Sequence, residues 1–123
     1  MSQRILIVDD EPGFLQGIKK IMGSTGAVLD LTDRMEEAEQ YLTRNRYDIV
    51  ITDLRLTGVL SEEGLEIIRF VKERNPATHC ILITGYGSPE LQAKALAQGA
   101  AYYFEKPVAP KDLLEAVKAL TYG

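Results

Sequence analysis

Five short apolar runs set the main constraint on the fold. They are Arg4–Val8 (RILIV), Ala27–Leu31, Ile49–Thr52, Cys80–Thr84 and Ala101–Phe104. Isoleucine, valine and leucine follow one another in them with little polar alternation. A strand with one wet face alternates; a run that does not is covered on both faces, as in a parallel sheet. Between the runs lie stretches whose apolar residues recur at helical spacing. The first carries Phe14, Leu15, Ile18, Ile21 and Met22 and ends near Gly23 and Gly26. The second opens at Asp33-Arg-Met-Glu36, which has the form of a capping box. The third, from Glu63 to Asn75, presents Leu65, Ile68 and Val71 and stops before Pro76. The fourth begins Ser88-Pro89, an N-cap followed by proline at the first helical position, and ends at Gly99. The fifth starts near Pro110 with Leu113, Leu114, Val117 and Leu120.

Strand–helix–strand repeats require a parallel sheet with right-handed crossovers and helices on both faces. The expected architecture is therefore α/β, one (βα)5 doubly wound domain over residues 1–123. Its 123 residues are enough for one core, and 46% hydrophobic with 26% charged residues is an ordinary globular balance. The net charge of −4 gives no basic footprint for nucleic acid, and no apolar run approaches a membrane span. Neither partner is expected, and a cytoplasmic location is. A single cysteine, Cys80, and a single histidine, His79, leave little for a disulfide, a zinc site or a histidine-dependent triad. Cys80 reads as a buried thiol and His79 as a surface residue before its strand.

Ligands of open parallel sheets bind beyond the carboxyl ends of the strands. Polar residues gather there in this chain. Asp9 and Asp10 follow the first strand, Asp53 ends the third, Thr84 ends the fourth, and Lys106 follows the fifth. With strand order 2-1-3-4-5 the first and third strands are neighbours and the three aspartates meet. Such a set favours a hard divalent cation with oxygen ligands, Mg²⁺ before zinc. A carboxylate can also attack phosphorus, with the cation, an ammonium and a hydroxyl holding the phosphoryl oxygens. Taken singly, Asp10 reads as a helix cap, Thr84 as a strand residue, Lys106 as a surface lysine and Glu11 as a helix-start acid. The convergence of the others in one register argues against those separate readings.

VDDEP, TDLRL, ILITGYG and FEKP, in this order and each at a strand end, resemble the receiver domain of two-component response regulators, the chemotaxis type included. The resemblance runs from Arg4 to about Leu120 and implies the flavodoxin-like order 2-1-3-4-5. It implies that Asp53 is the phospho-acceptor. Asp10 would be the direct Mg²⁺ ligand, Asp9 would act through a water, and the backbone carbonyl of Arg55 would join Asp53 in the metal shell. Thr84 corresponds to the switch hydroxyl, Lys106 to the phosphate-pairing lysine before a cis Pro107, and Tyr103 to the switch aromatic. Gly85 would leave the phosphoryl group accessible, while Tyr86 and Arg55 occupy positions that tune dephosphorylation. The implied partners are a histidine kinase as phosphodonor, a downstream protein or fused output domain, and a second copy in a phosphorylation-dependent homodimer. The chain departs from the pattern at Thr57 and Ser61, where proline and glycine are usual. Gly64 is then the equivalent glycine and the loop Thr57–Gly64 is longer than usual. Three rivals are weaker. A flavodoxin-like flavin binder would need a Ser/Thr/Gly-rich phosphate loop at a strand end, which is missing here. A phosphohydrolase would need a second aspartate where Arg55 stands, and a pseudo-receiver that signals without phosphorylation would usually lack an acid, the threonine or the lysine.

Overall fold

The computed structural model describes residues 3–54, Leu56 and 62–122. Arg55 and the stretch 57–61, which hold the expected Arg55 roles and most of the longer loop, lie outside the described residues. Strands and helices alternate as β1 (Arg4–Val8), α1 (Pro12–Gly23), β2 (Val28–Thr32), α2 (Met35–Arg44), β3 (Ile49–Asp53), α3 (Glu63–Arg74), β4 (His79–Thr84), α4 (Pro89–Ala97), β5 (Ala100–Glu105) and α5 (Pro110–Tyr122). All strand pairs are parallel, in the order β2-β1-β3-β4-β5. The expected fold class and strand order are both found.

β1, β3, β4 and β5 split their apolar residues between two cores, because successive side chains point to opposite faces, whereas β2 at the edge gives Leu29 and Leu31 to one of them. Leu6, Val8, Val50, Cys80 and Leu82 pack under α2, α3 and α4, with Ala38, Ile68, Val71 and Ala95. Ile5, Ile7, Ile49, Ile51, Ile81 and Ile83 pack under α1 and α5, with Ile18, Met22, Leu113 and Val117. Burial on both sides is why these runs do not alternate. Full burial of an isoleucine or leucine stabilises by about 1.5–3 kcal/mol, so these two layers hold the sheet. Tyr102 and Tyr103 take opposite faces, Tyr102 stacking on Phe104 at 6.0 Å between centroids.

The start of α4 follows the sequence reading: Ser88 Oγ accepts from Leu91 N at 3.1 Å and Pro89 is the first helical residue. The start of α2 does not. Arg34, not Asp33, is the N-cap residue, without a side-chain cap bond. That moves Glu36 to the second helical position, out of reach for a capping box, and puts Glu37 at the third. Thr32 Oγ1 accepts from Arg34 N at 3.2 Å, and Glu37 Oε2 accepts from the Arg34 guanidinium at 3.2 Å. The threonine ending β2 thus organises this turn. His79 is the half-buried first residue of β4 rather than a residue before it, its N–H donating to Asp48 O at 3.0 Å.

Candidate functional site

The register brings the polar strand ends together. β1 lies between β2 and β3, with Val8 beside Thr52, so Asp9 and Asp53 both leave the sheet at the switch point. Asp53 pairs across to Ile83, and Thr84 pairs to Glu105, which places Lys106 one residue beyond the edge. The Lys106 N–H donates to Thr84 O at 2.8 Å, extending the ladder to the lysine. The Lys106–Pro107 peptide is cis.

Four carboxylates meet here. Asp9, Asp10, Glu11 and Asp53 each offer an oxygen, and these oxygens lie within 4.8 Å of one another. Asp9 is 1% exposed and Asp53 7%, while Asp10 and Glu11 are exposed. Lys106 Nζ holds the cluster, donating to Glu11 Oε1 at 2.5 Å, Asp9 Oδ2 at 2.9 Å and Asp53 Oδ2 at 3.4 Å. The Phe14 ring lies beneath the ammonium, 4.6 Å from its centroid. Asp9 Oδ1 also accepts from Glu11 N at 2.8 Å.

Burial and like charge show in the titration of these groups. Burial, then the charge of Asp9, pushes the Asp53 carboxyl up to about 6 against the pull of Lys106. Burial likewise raises Asp9 above the usual carboxylate range, although Lys106 opposes it. For Lys106, burial favours the neutral amine, but Asp9 and Glu11 outweigh it and hold the group cationic above its ordinary range. The ammonium thus offsets part of the repulsion among the acids.

The acidic side chains open into a cleft of about 940 Å³, whose rim includes Phe14, Gly85, Tyr86 and Val108. Tyr86 is 59% exposed at that rim. Thr84 is fully buried and its Oγ1 accepts from Tyr86 N at 3.0 Å. Tyr103 O–H sits at the start of α4, accepting from Ser88 N at 3.2 Å and donating to Glu105 Oε1 at 3.4 Å. Gly87 permits this, because a Cβ there would run into the Tyr103 hydroxyl and the Glu105 carboxylate. Gly64 has a similar task beside Asp53. A Cβ at Gly64 would overlap the Asp53 carbonyl oxygen and lie 2.8 Å from Leu54 Cα, and the Gly64 N–H donates to Leu54 O at 2.9 Å.

A family model for the response regulator receiver domain matches residues 5–118. The chain belongs to the response regulator receiver family. Among its relatives, the response regulator protein PilR of Pseudomonas aeruginosa is 33% identical over 106 residues, covering 86% of this chain and 23% of PilR. The transcriptional regulatory protein CusR of Escherichia coli is 32% identical over 117 residues, covering 95% of this chain and 50% of CusR. This receiver chain therefore spans between about a quarter and a half of those regulators. A solved CheY-like receiver domain from Methanospirillum hungatei superposes with a TM-score of 0.88 at 30% identity, over 99% of this chain and 96% of that one. The beryllofluoride-activated NtrC4 receiver domain dimer gives 0.86 at 29% identity, over 95% and 94%. Receiver domains use Mg²⁺ at an acidic pocket, and the donors here fit a hard cation: clustered carboxylate oxygens, with no nitrogen or sulfur ligand among them. No helix among the described residues is long and apolar enough to cross a membrane.

Sequence reasoning assigned Glu11 to the start of a helix. It is the N-cap residue of α1, but its side chain makes no cap bond and turns to Lys106 instead. Nothing local in the sequence signals that pairing, since the partners are 95 residues apart. The Gly87 contact has no local signal either. A glycine three residues after a strand-ending threonine is compatible with any turn.

Proposed function

We propose that this receiver accepts a phosphoryl group on Asp53 from a histidine kinase, with Mg²⁺, and switches the face formed by α4, β5 and α5. The observation that carries this reading is the Asp53 carboxylate, nearly buried at the base of an open cleft and within reach of Lys106. A carboxylate oxygen of Asp53 attacks phosphorus. The bond from phosphorus to the phosphohistidine nitrogen breaks, and its electron pair returns to the imidazole. Mg²⁺, when held by these carboxylates, would supply positive charge to offset that of the transferring phosphoryl group. Asp10 and Asp53 would hold that ion directly, the Arg55 carbonyl would join them, and Asp9 would act through a water. Lys106 turns its ammonium to a phosphoryl oxygen.

In the later hydrolysis water attacks phosphorus, the bond from phosphorus to the Asp53 oxygen breaks with its electron pair returning to the carboxylate, and inorganic phosphate leaves. Gly85 leaves the approach open, while Tyr86 at the cleft rim, together with Arg55, limits water. Thr84 moves its hydroxyl to the phosphoryl oxygen and gives up the Tyr86 N–H. Tyr103, tied to the start of α4, shifts with it. This is a population shift, because the phosphoryl group bonds Thr84 in only one of the two states. Downstream partners, a fused output domain or a second copy then read α4, β5 and α5. The greater length of PilR and CusR is compatible with a fused output.

Incubation with acetyl phosphate and Mg²⁺ followed by intact mass tests the acceptor. A gain of about 80 Da, one phosphoryl group, is expected for the wild type and absent from Asp53→Asn and from EDTA-treated protein. No gain in folded wild type, with kinase present as well as absent, would replace this reading with a receiver that signals by binding alone.

A further inference from the structure

Lys106 has one more acidic partner than phosphoryl transfer requires. Its ammonium carries three N–H donors, and three carboxylates take them. The shortest contact goes to Glu11 at 2.5 Å, and the longest, 3.4 Å, goes to Asp53. The three partners differ in exposure. The Glu11 side chain is 60% exposed, against 9% for Asp53 and 1% for Asp9. Glu11 is also well anchored. Its backbone is extended at the entrance to α1, and its N–H is held by Asp9 Oδ1 at 2.8 Å. The Phe14 ring closes another side of the ammonium.

A phosphoryl oxygen on Asp53 enters this arrangement as a further acceptor. One existing contact has to be released. Asp9 is buried, and losing its partner would strand a desolvated charge. Glu11 can exchange Lys106 for water.

We propose that Glu11 is a positioning residue: it holds Lys106 toward the solvent side of the site before phosphorylation and yields it to the phosphoryl oxygen afterwards. Glu11 thereby stabilises the unphosphorylated form and sets how strongly the site retains a phosphoryl group. The inference rests on the phospho-acceptor reading of Asp53.

Beryllofluoride, a phosphoryl mimic that binds reversibly, provides an equilibrium test. It is titrated with Mg²⁺ into the wild type, Glu11→Gln, Glu11→Asp, Lys106→Met and the Glu11→Gln/Lys106→Met double variant, followed by amide NMR shifts. Glu11→Gln should tighten binding about fivefold, the loss of one competing, partly exposed ion pair. Glu11→Asp should behave like Gln, because its shorter arm keeps the charge but withdraws it from Lys106. In the Lys106→Met background, which retains the stem over Phe14, the Glu11→Gln gain should fall to a small fraction of its size. Three results would overturn the proposal. One is an equal gain without Lys106, which would mean direct repulsion of the anion. The second is Glu11→Asp tracking the wild type. The third is unchanged or weaker binding by Glu11→Gln. Wild type that does not bind beryllofluoride removes the Asp53 reading and this inference together, whereas normal wild-type binding with no effect of Glu11→Gln removes this inference alone.

Discussion

Asp53→Asn should raise the stability of the metal-free protein at neutral pH, although it removes the proposed phospho-acceptor. The Asp53 carboxyl titrates near 6 in the folded chain, against 3.8 for the unperturbed group, chiefly because it is buried and beside Asp9. The folded state therefore binds this proton more tightly than the unfolded state does. The stabilisation this gives is fully present below pH 3.8 and is lost as pH rises through about 6. At pH 7.5 the ionised group destabilises the fold, and a difference of about 2 in pKa corresponds to at most about 3 kcal/mol. Asparagine removes that charge but forfeits the 3.4 Å contact to Lys106. The expected net gain is about 1–2 kcal/mol, or roughly 4–8 °C in Tm for a chain of this size. Urea and thermal unfolding in EDTA at pH 7.5 and 4.5 measure it. The advantage of Asn should be clear at the higher pH and shrink at the lower. Mg²⁺ should then stabilise the wild type and narrow the gap, because the proposed site exists only in the folded state. An Asn variant that is less stable at pH 7.5, or equally favoured at both pH values, would refute the charge-repulsion account.

Three further outcomes are expected. Gly64→Ala forces a methyl group against the Asp53 carbonyl and Leu54 Cα, and should cost about 2–3 kcal/mol in urea unfolding, with slower phosphorylation by acetyl phosphate. Tyr86→Ala should shorten the phosphoryl lifetime several-fold in a mass time course, since the residue is 59% exposed at the cleft rim. Cys80 is fully buried and burial pushes its thiol up to about 12, so a disulfide reagent at pH 8 should react with it only after unfolding.

The sheet was legible because burial on two faces writes itself into composition. Ile49, Val50, Ile51 and Thr52 are all buried, so the run has no polar interruption to confuse a strand with a surface helix. The acidic cluster is legible because parallel strands deliver their ends to one side, so Asp9, Asp53, Thr84 and Lys106 share a destination by topology alone. Contacts that depend on side-chain reach across the fold were not. Glu11 bonds Lys106, and Tyr47 O–H donates to Asp30 Oδ2 at 2.5 Å while Arg4 pairs with the same oxygen at 3.2 Å. Helix starts failed where a neighbouring strand residue competed. Thr32, ending β2, took the Arg34 N–H and shifted the first turn of α2 past Asp33.

The close approach of Gly64 to β3 also bears on how this site tolerates change in chain length. Leu54 N donates to Ile83 O at 3.1 Å, and Leu54 O accepts from Gly64 N. The segment between them thus leaves and returns at a single residue. Its two ends are fastened through the backbone of that residue. Lengthening a closed segment of this kind is cheap, about 0.6 kcal/mol for each doubling. Insertions between Leu54 and Gly64 can therefore accumulate without displacing the Asp53 carboxylate. The length of that connection can change while the strand end that carries Asp53 keeps its place in the sheet.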